Sequence, residues 1–435
     1  MKKIISLFIA ILVTFNSTNF SLADTNKLTP QDINAKSAIL IDAKTGEILF
    51  EKNKHKKMYP ASTTKILTGI LAIEMGNFDE IITVDDKTPY EIEGTHIALE
   101  PGEKLSFKDL VNSMLIESAN DSAVVIAKNL SGSVENFADL MNKKAKELGA
   151  KNSNFVNPNG LPNEEHVTTA YDLAMIAKYA MKNNVFRNIV KNYTYTIPPT
   201  NKKSEERYMK SANRLLYSTS NINVDGNIVD IKYDGAIGIK TGYTVAANQC
   251  LVAGAKRNGK ELISVILSSD GKNKWVDTHK LFNYGFNNFS TETIAFKKEF
   301  VKNIEVEHGD KNFVTGIIDN NIYATIPNNS QNDINKNIIL SDKVKAPISK
   351  GQVLGKIEYS IDGKIIGMAN IISTEEINMK PVYKAVSNSG FNVILDKWWI
   401  IFIVLFVIWR YSVAIKRKRR KRRKSKLNLT YKGKY

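Results

Sequence analysis

Apolar residues recur at Ile66, Ile70 and Ile73, with Leu67 and Leu71 widening the stripe, and this stretch constrains the fold most tightly. The spacing predicts a buried helix over residues 59–73. Pro60 suits its entrance, where a missing N–H costs nothing. Ser62 then falls in the first turn, with Lys65 three residues on and on the same face. That sets an amine beside a hydroxyl at a helix N-terminus, whose free N–H groups can meet developing negative charge. A serine attacks a carbonyl only if its proton is removed, and a desolvated lysine can remove it. Ser-x-x-Lys alone is a common pattern, more often a helix start with a solvated lysine. A second copy, Ser269-Asp270-Gly271-Lys272, follows an apolar run and carries a glycine, which predicts a strand end and turn.

The chain of 435 residues has room for two domains and targeting segments. Residues 1–23 carry Lys2 and Lys3, an apolar run from Ile4 to Phe15, and Ser21-Leu22-Ala23, the pattern of a signal peptide cleaved after Ala23. Residues 393–415 are almost wholly apolar, with tryptophans at 398, 399 and 409 and flanking Asp396, Lys397 and Arg410. In residues 416–426 every position except Ser425 is Lys or Arg. A lone core helix is the plain alternative, but the run, the aromatic belt and the basic block together predict a membrane anchor. The positive-inside rule places the 416–435 tail in the cytoplasm, giving a single-pass cell-membrane protein with its catalytic domain extracytoplasmic. The net charge is +17, of which ten charges lie in the basic block and four more are Lys2, Lys3, Lys432 and Lys434, leaving +3. A nucleic-acid partner is therefore not expected, because the excess sits beside the span and not on the folded part.

Cys250 is the only cysteine, so no intramolecular disulfide can form, and its apolar setting predicts a buried thiol. The histidines at 55, 96, 166, 279 and 308 form no metal-binding spacing, and no Gly-x-Ser-x-Gly elbow occurs. No metal and no cofactor is expected.

Residues 37–42 and 47–51 read as a hairpin joined by Ala43-Lys44-Thr45-Gly46, and Gly76 is placed to end the central helix. A short strand at 81–84 precedes helical patterns over 107–115, 121–130, 134–148 and 167–181, the last with Thr168 or Thr169 as its cap. Residues 237–241, 249–256 and 261–268 read as successive strands, with Arg257-Asn258-Gly259-Lys260 as a turn. Strands at both ends with helices between predict a mixed α/β catalytic domain over 24–290. Short apolar runs over 291–380 predict a small all-β domain, with residues 328–337 as a polar loop and 381–392 as a linker to the anchor.

Two further motifs complete a constellation. Ser118-Ala119-Asn120 lies between two helical segments, and Lys240-Thr241-Gly242 ends an apolar strand. Each alone is weak, since Ser-x-Asn recurs at 17, 211 and 330 and Lys-Thr-Gly recurs at 44. The order Ser-x-x-Lys, Ser-x-Asn, Lys-Thr-Gly, each in a suitable setting, is specific. With these residues the chain resembles the low-molecular-mass penicillin-binding proteins, the serine D-alanyl-D-alanine carboxypeptidases. Residues 41–49 and 60–65, Asn157-Pro158-Asn159-Gly160-Leu161 with His166, Lys345-Ala346-Pro347-Ile348 and Gly351-Gln352-Val353-Leu354-Gly355 extend the likeness over about residues 30 to 385. Ser211-Ala212-Asn213-Arg214-Leu215-Leu216 departs from the Asn-x-Asn of many relatives, as does Asn248-Gln249.

The resemblance implies a penicillin-binding transpeptidase/β-lactamase-like domain with a β-rich stalk. It implies catalytic roles for Ser62, Lys65, Ser118 and Asn120, and substrate binding by Lys240, Thr241, Gly242 and Tyr243. The implied partners are peptidoglycan stem peptides ending in D-Ala-D-Ala and β-lactam antibiotics. A class A β-lactamase shares the three motifs but needs a Glu-x-x-Leu-Asn sequence to hold its deacylating water, and none lies between Ser118 and Lys240. A non-catalytic wall-binding protein would be expected to have lost at least one motif residue, and all are present.

Overall fold

The computed structural model describes residues 27–328, 333–341, 343–381 and 398–430. The expected signal peptide, nearly all of the expected linker and residues 393–397 lie outside these. The chain divides into two compact units, Met1–Glu292 with Tyr323–Gln331 and Thr293–Ile322 with Asn332–Tyr435.

The first unit is built on an antiparallel sheet of β1 (Ser37–Asp42), β2 (Ile48–Lys52), β3 (Ala236–Thr244), β4 (Asn248–Arg257) and β5 (Lys260–Ser269). Their order is β2-β1-β5-β4-β3, so β3 is an edge strand of this sheet. Lys240 pairs with Val252, Val252 with Val265, and Val265 with Ile39. Alternate side chains divide between two cores, as a period of two requires. Ile39, Ile41, Val252, Ile263 and Val265 join one apolar cluster, while Ala38, Leu40, Leu251, Ala253, Leu262 and Ile266 join another. Both faces are covered, which is why these antiparallel strands read as unbroken apolar runs.

The first cluster packs against α1 (Lys65–Met75), α2 (Phe107–Ile116), α3 (Asn120–Ser131), α4 (Val134–Glu147) and α5 (Ala170–Ala180). α1 is buried from Lys65 to Ala72 and forms the centre of this layer. Gly76 ends it in an extended conformation, φ −90°, and not in the left-handed one that favours glycine. Its role is steric, because an ideal Cβ there would lie 2.2 Å from the Phe107 ring. α5 starts at Ala170, three residues later than its apolar pattern predicts. Thr169 accepts the Asp172 N–H as its cap, and Thr168 pairs instead with Met58.

The other face carries a helix absent from the sequence reading, α7 (Asn273–Asn288), placed by buried Trp275, Leu281 and Phe282. Also unforeseen are α6 (Asn184–Lys191) and two short hairpins, Thr194–Ile197 with Arg207–Lys210 and Asn221–Val224 with Asn227–Asp230. Their strands are four residues long, too short for a legible alternation.

The second unit holds an antiparallel sheet of β6 (Phe300–Glu305), β7 (Phe313–Ile318), β8 (Asn335–Leu340), β9 (Val353–Ile361) and β10 (Lys364–Ser373), in the order 6-7-10-9-8. β8 takes over residues 335–337 of the segment expected to be a loop. A final helix, α8, runs Trp398–Thr430. Within it Trp399–Lys421 is long and apolar enough to cross a membrane.

Candidate active site

Ser62 sits on a 3-10 turn, Ala61–Thr64, that precedes α1, and not in the α-helix itself as the apolar spacing predicts. Ala61 opens this turn at φ 48°, a left-handed conformation that strains a residue with a Cβ. Thr63 donates to the Pro60 carbonyl at 2.6 Å and Thr64 to the Ala61 carbonyl at 2.8 Å, which ties two of the three hydroxyls back onto the turn. Ser62 faces Lys65 instead.

Lys65 is fully buried, and its Nζ lies 3.1 Å from Ser62 Oγ, 2.6 Å from Asn120 Oδ1 and 2.7 Å from the Asn159 carbonyl. Asn120 Nδ2 donates to the Glu93 carbonyl, which fixes its amide orientation and leaves Oδ1 toward Lys65. Burial holds the Lys65 pKa well below the usual lysine range, and Lys240 pushes it further down against an opposing pull from Asp121. A neutral amine has two protons and one lone pair. Two of its three neighbours, the Asn120 and Asn159 oxygens, can only accept, so they take the protons. The lone pair is left for Ser62, the one neighbour able to donate.

Ser118 and Asn120 stand where α2 gives way to α3. Ser118 is at φ 74° and almost buried, and its hydroxyl has no hydrogen-bond partner among the described residues. Asp121 accepts the N–H groups of Ile97 and Leu99, and Asn120 N–H donates to Thr95, so the 93–99 loop is held against this corner.

Lys240, Thr241 and Gly242 lie on β3 and all three are buried, while Tyr243 is 58% exposed. Burial pulls the Lys240 pKa down to about 7, with Lys274 acting in the same direction and Glu117 opposing. An ideal Cβ at Gly242 would lie 3.0 Å from both Ser62 N and the Pro60 carbonyl oxygen. Glycine therefore lets the edge strand run directly beside the Ser62 turn. All eight residues singled out in the sequence thus belong to elements of one unit, and α1, the α2–α3 corner and β3 meet around Ser62.

Three contributors carry no role in the sequence reading, although Asn159 and His166 stand in the block that bears the resemblance. Asn159 enters through its backbone carbonyl, which no side-chain motif encodes. Lys274, at the start of α7, has its pKa lowered to about 8 by burial and acts electrostatically on Lys240. His166 Nδ1 accepts the Val156 N–H and its Nε2 lies 2.9 Å from Thr64 Oγ1, whose own proton goes to Ala61. The ring is therefore neutral with its proton on Nε2, and burial lowers its pKa to about 4. It buttresses the nucleophile turn from behind. The decoy Ser269 ends β5 and hydrogen-bonds Asp277 and Asn34, while its Lys272 only precedes α7.

Gly160 supports the site at close range. It has φ 87°, and an ideal Cβ would fall 1.9 Å from the Ala61 carbonyl oxygen. Gly160→Ala is expected to destabilise the protein by more than about 3 kcal/mol, combining left-handed strain with a backbone clash. Thermal unfolding checks the stability change. Acylation by a fluorescent penicillin should fall with it, because the displaced groups carry both Ser62 and the Asn159 carbonyl.

A family model for D-alanyl-D-alanine carboxypeptidase matches residues 24–271, and one for the C-terminal domain of penicillin-binding protein 5 matches residues 289–379. D-alanyl-D-alanine carboxypeptidase DacF of Bacillus subtilis is 33% identical over 386 residues, covering 87% of this chain and 95% of the relative. D-alanyl-D-alanine carboxypeptidase DacA of Haemophilus influenzae is 32% identical over 383 residues, covering 84% and 91%. The crystal structure of penicillin binding protein 5 from Haemophilus influenzae superposes with a TM-score of 0.69 at 29% identity, covering 81% of this chain and all of that one.

Proposed function

The chain belongs to the D-alanyl-D-alanine carboxypeptidase family of serine penicillin-binding enzymes, and from that premise we propose that Ser62 is the nucleophile, with Lys65 as its base. The protein is a serine-type hydrolase that removes the terminal D-alanine from peptidoglycan stem peptides and is acylated by β-lactams. The observation that carries the residue assignment is the buried Lys65 amine 3.1 Å from Ser62 Oγ, its two other neighbours being oxygens that can only accept.

Ser62 Oγ attacks the carbonyl carbon between the two D-alanines as its proton passes to Lys65 Nζ. The N–H groups of Ser62 and Tyr243 receive the oxyanion, in keeping with the close approach of β3 to the Ser62 turn. Collapse breaks the C–N bond, and the proton returns to the leaving amine through Ser118. Water then attacks the Ser62 ester, giving a proton to Lys65, which passes it to the departing Ser62 Oγ as the C–O bond breaks, and the shortened peptide is released. Asn120 orients Lys65, and Lys240 with Thr241 holds the terminal carboxylate, which selects chain-terminal bonds. Gly242 lets substrate lie along the free edge of β3 as an added strand. The catalytic domain is taken as residues 24–290 and the β domain as 291–380.

Fluorescent penicillin should label the protein at Ser62 alone. A label that survives Ser62→Ala, or maps to Ser269, would overturn the assignment.

α8 is compatible with a membrane anchor, and the basic block after its apolar stretch supports a topology with the catalytic domain outside. Protease added to intact protoplasts is expected to remove the catalytic domain and to spare a tag placed after Tyr435. Loss of the tag would reverse the orientation.

A further inference from the structure

Away from Ser62, the β1–β2 turn, the end of α5, the start of α6 and the β4–β5 turn line a half-open cavity of about 390 Å³. Lys44, Lys178, Lys182, Lys256, Lys260 and Arg187 line it, and Glu261 is the one carboxylate among its lining residues. Glu261 is taken by Arg187, whose two terminal nitrogens reach its oxygens at 3.0 and 2.8 Å. Lys260 Nζ donates to the carbonyls of Gly285 and Phe289, and Lys44 Nζ lies over the Tyr323 ring at 3.4 Å. The side-chain ammoniums of Lys178, Lys182 and Lys256 have no hydrogen-bonding or ion-pair partner among the described residues.

Gly46, whose φ of 82° belongs to the turn, has its ideal Cβ position 2.3 Å from Lys178 Nζ, so this ammonium lies directly against the β1–β2 turn. Burial and the Lys182 charge both push the Lys178 pKa down, and Asp42 opposes them only in part. Asp42 itself accepts the N–H groups of Lys44 and Thr45 and the Thr291 hydroxyl. Clustered ammoniums repel one another, so an anion seated among them offsets that repulsion.

The cavity is separate from the catalytic centre. Val252, the β4 partner of Lys240, precedes Lys256 by four residues, roughly 13 Å along the strand. We propose that this cavity is a second, non-catalytic binding site for a phosphate-bearing anion, held by Lys178, Lys182 and Lys256 with Lys44 at its rim. The only arginine among the lining residues is committed to Glu261, so an anion here meets lysine point charges and not a bidentate fork. Several lysine point charges around one cavity suit the tetrahedral phosphate group, whose oxygens accept from more than one direction. The volume exceeds that of a lone phosphate ion and accommodates a phosphodiester with its flanking polyol. That chemistry occurs both in soluble polyol-phosphate polymers and in anionic lipid headgroups.

The test uses the full chain in phosphatidylcholine nanodiscs, with lysine acetylation mapped by mass spectrometry. A short glycerol-phosphate oligomer is expected to slow acetylation of Lys178, Lys182 and Lys256 about tenfold, and the protection should fade as salt screens it. In Lys182→Gln/Lys256→Gln, which alters two exposed side chains, the oligomer should bind at least about tenfold more weakly, read at Lys178. Penicillin acylation of that variant should be unchanged, which certifies its fold. Protection in phosphatidylglycerol nanodiscs without the oligomer would assign the site to lipid headgroups, and protection by the oligomer alone would assign it to a soluble polymer. Equal protection by poly-glutamate overturns the phosphate assignment. No protection in either arm, or undiminished protection in the double variant, overturns the site.

Discussion

Lys65→Met is expected to lower kcat/KM on a D-Ala-D-Ala peptide by about 10⁴-fold or more, the scale of removing a base that acts as one unit with its nucleophile. Methionine matches the lysine chain as far as Cε and lacks only the amine, so most of the buried packing is kept and does not account for the effect. The substitution leaves Asn120 Oδ1 and the Asn159 carbonyl without a donor, at a cost of about 1–3 kcal/mol each. It also removes the burden of burying an amine whose pKa burial has forced down. These effects oppose each other, so thermal unfolding should shift far less than activity does. In the wild type, only the neutral amine can take the Ser62 proton, so acylation should rise with pH through the depressed Lys65 pKa. A Lys65→Met protein that retained most of its acylation rate, with the rising limb intact, would remove Lys65 from the mechanism.

The sequence announces some of this site and conceals the rest for identifiable reasons. Ser62 and Lys65 are legible because three residues of helical spacing place them on one face, although Ser62 turns out to ride on a 3-10 turn. The strands around Lys240 are legible because both faces of the sheet are buried, which leaves long apolar runs. Ser118 and Asn120 carry no periodic signal, and only their order relative to the other motifs marks them out. The second Lys-Thr-Gly, at Lys44, was separable because a short strand on each side made it a turn, and Asp42 indeed accepts two of its N–H groups. Asn159 could not be found by any rule about side chains, since its contribution is a carbonyl delivered across 94 positions of sequence. α7 went unread because its buried residues, among them Trp275, Leu281 and Phe282, are diluted by polar Asn, Lys and Thr. At the Ser211 departure the serine hydroxyl accepts the Asn213 N–H, and Asn213, which matches the pattern, is buried and caps a short turn, Arg214–Leu216.

Lys240→Gln separates two roles that this lysine could play. If it anchors the substrate carboxylate, removing its charge should cost the free-acid peptide roughly 2–5 kcal/mol, or about 30- to 5,000-fold in kcat/KM. The amidated peptide, which offers no carboxylate, should lose less than about fivefold at its optimal pH. The pH profile adds a second discriminator. Lys240 titrates near pH 7 in the free enzyme, so kcat/KM on the acid peptide should fall above that pH as the ammonium is lost. The amide should show no such falling limb. Lys240 also pushes the Lys65 pKa down, so Lys240→Gln should move the rising limb to higher pH on both peptides alike. Stability supplies an independent check of the sign. The folded pKa of about 7 lies below the unfolded value of about 10.4, so the unfolded chain binds the extra proton between those pH values. Wild-type stability should therefore rise with pH across that window relative to Lys240→Gln. Any gain in melting temperature from the substitution should be greatest at or below pH 7 and gone near pH 10.5. Equal losses on acid and amide, with only the rising limb displaced, would leave Lys240 as a modulator of Lys65 and end its role as carboxylate anchor.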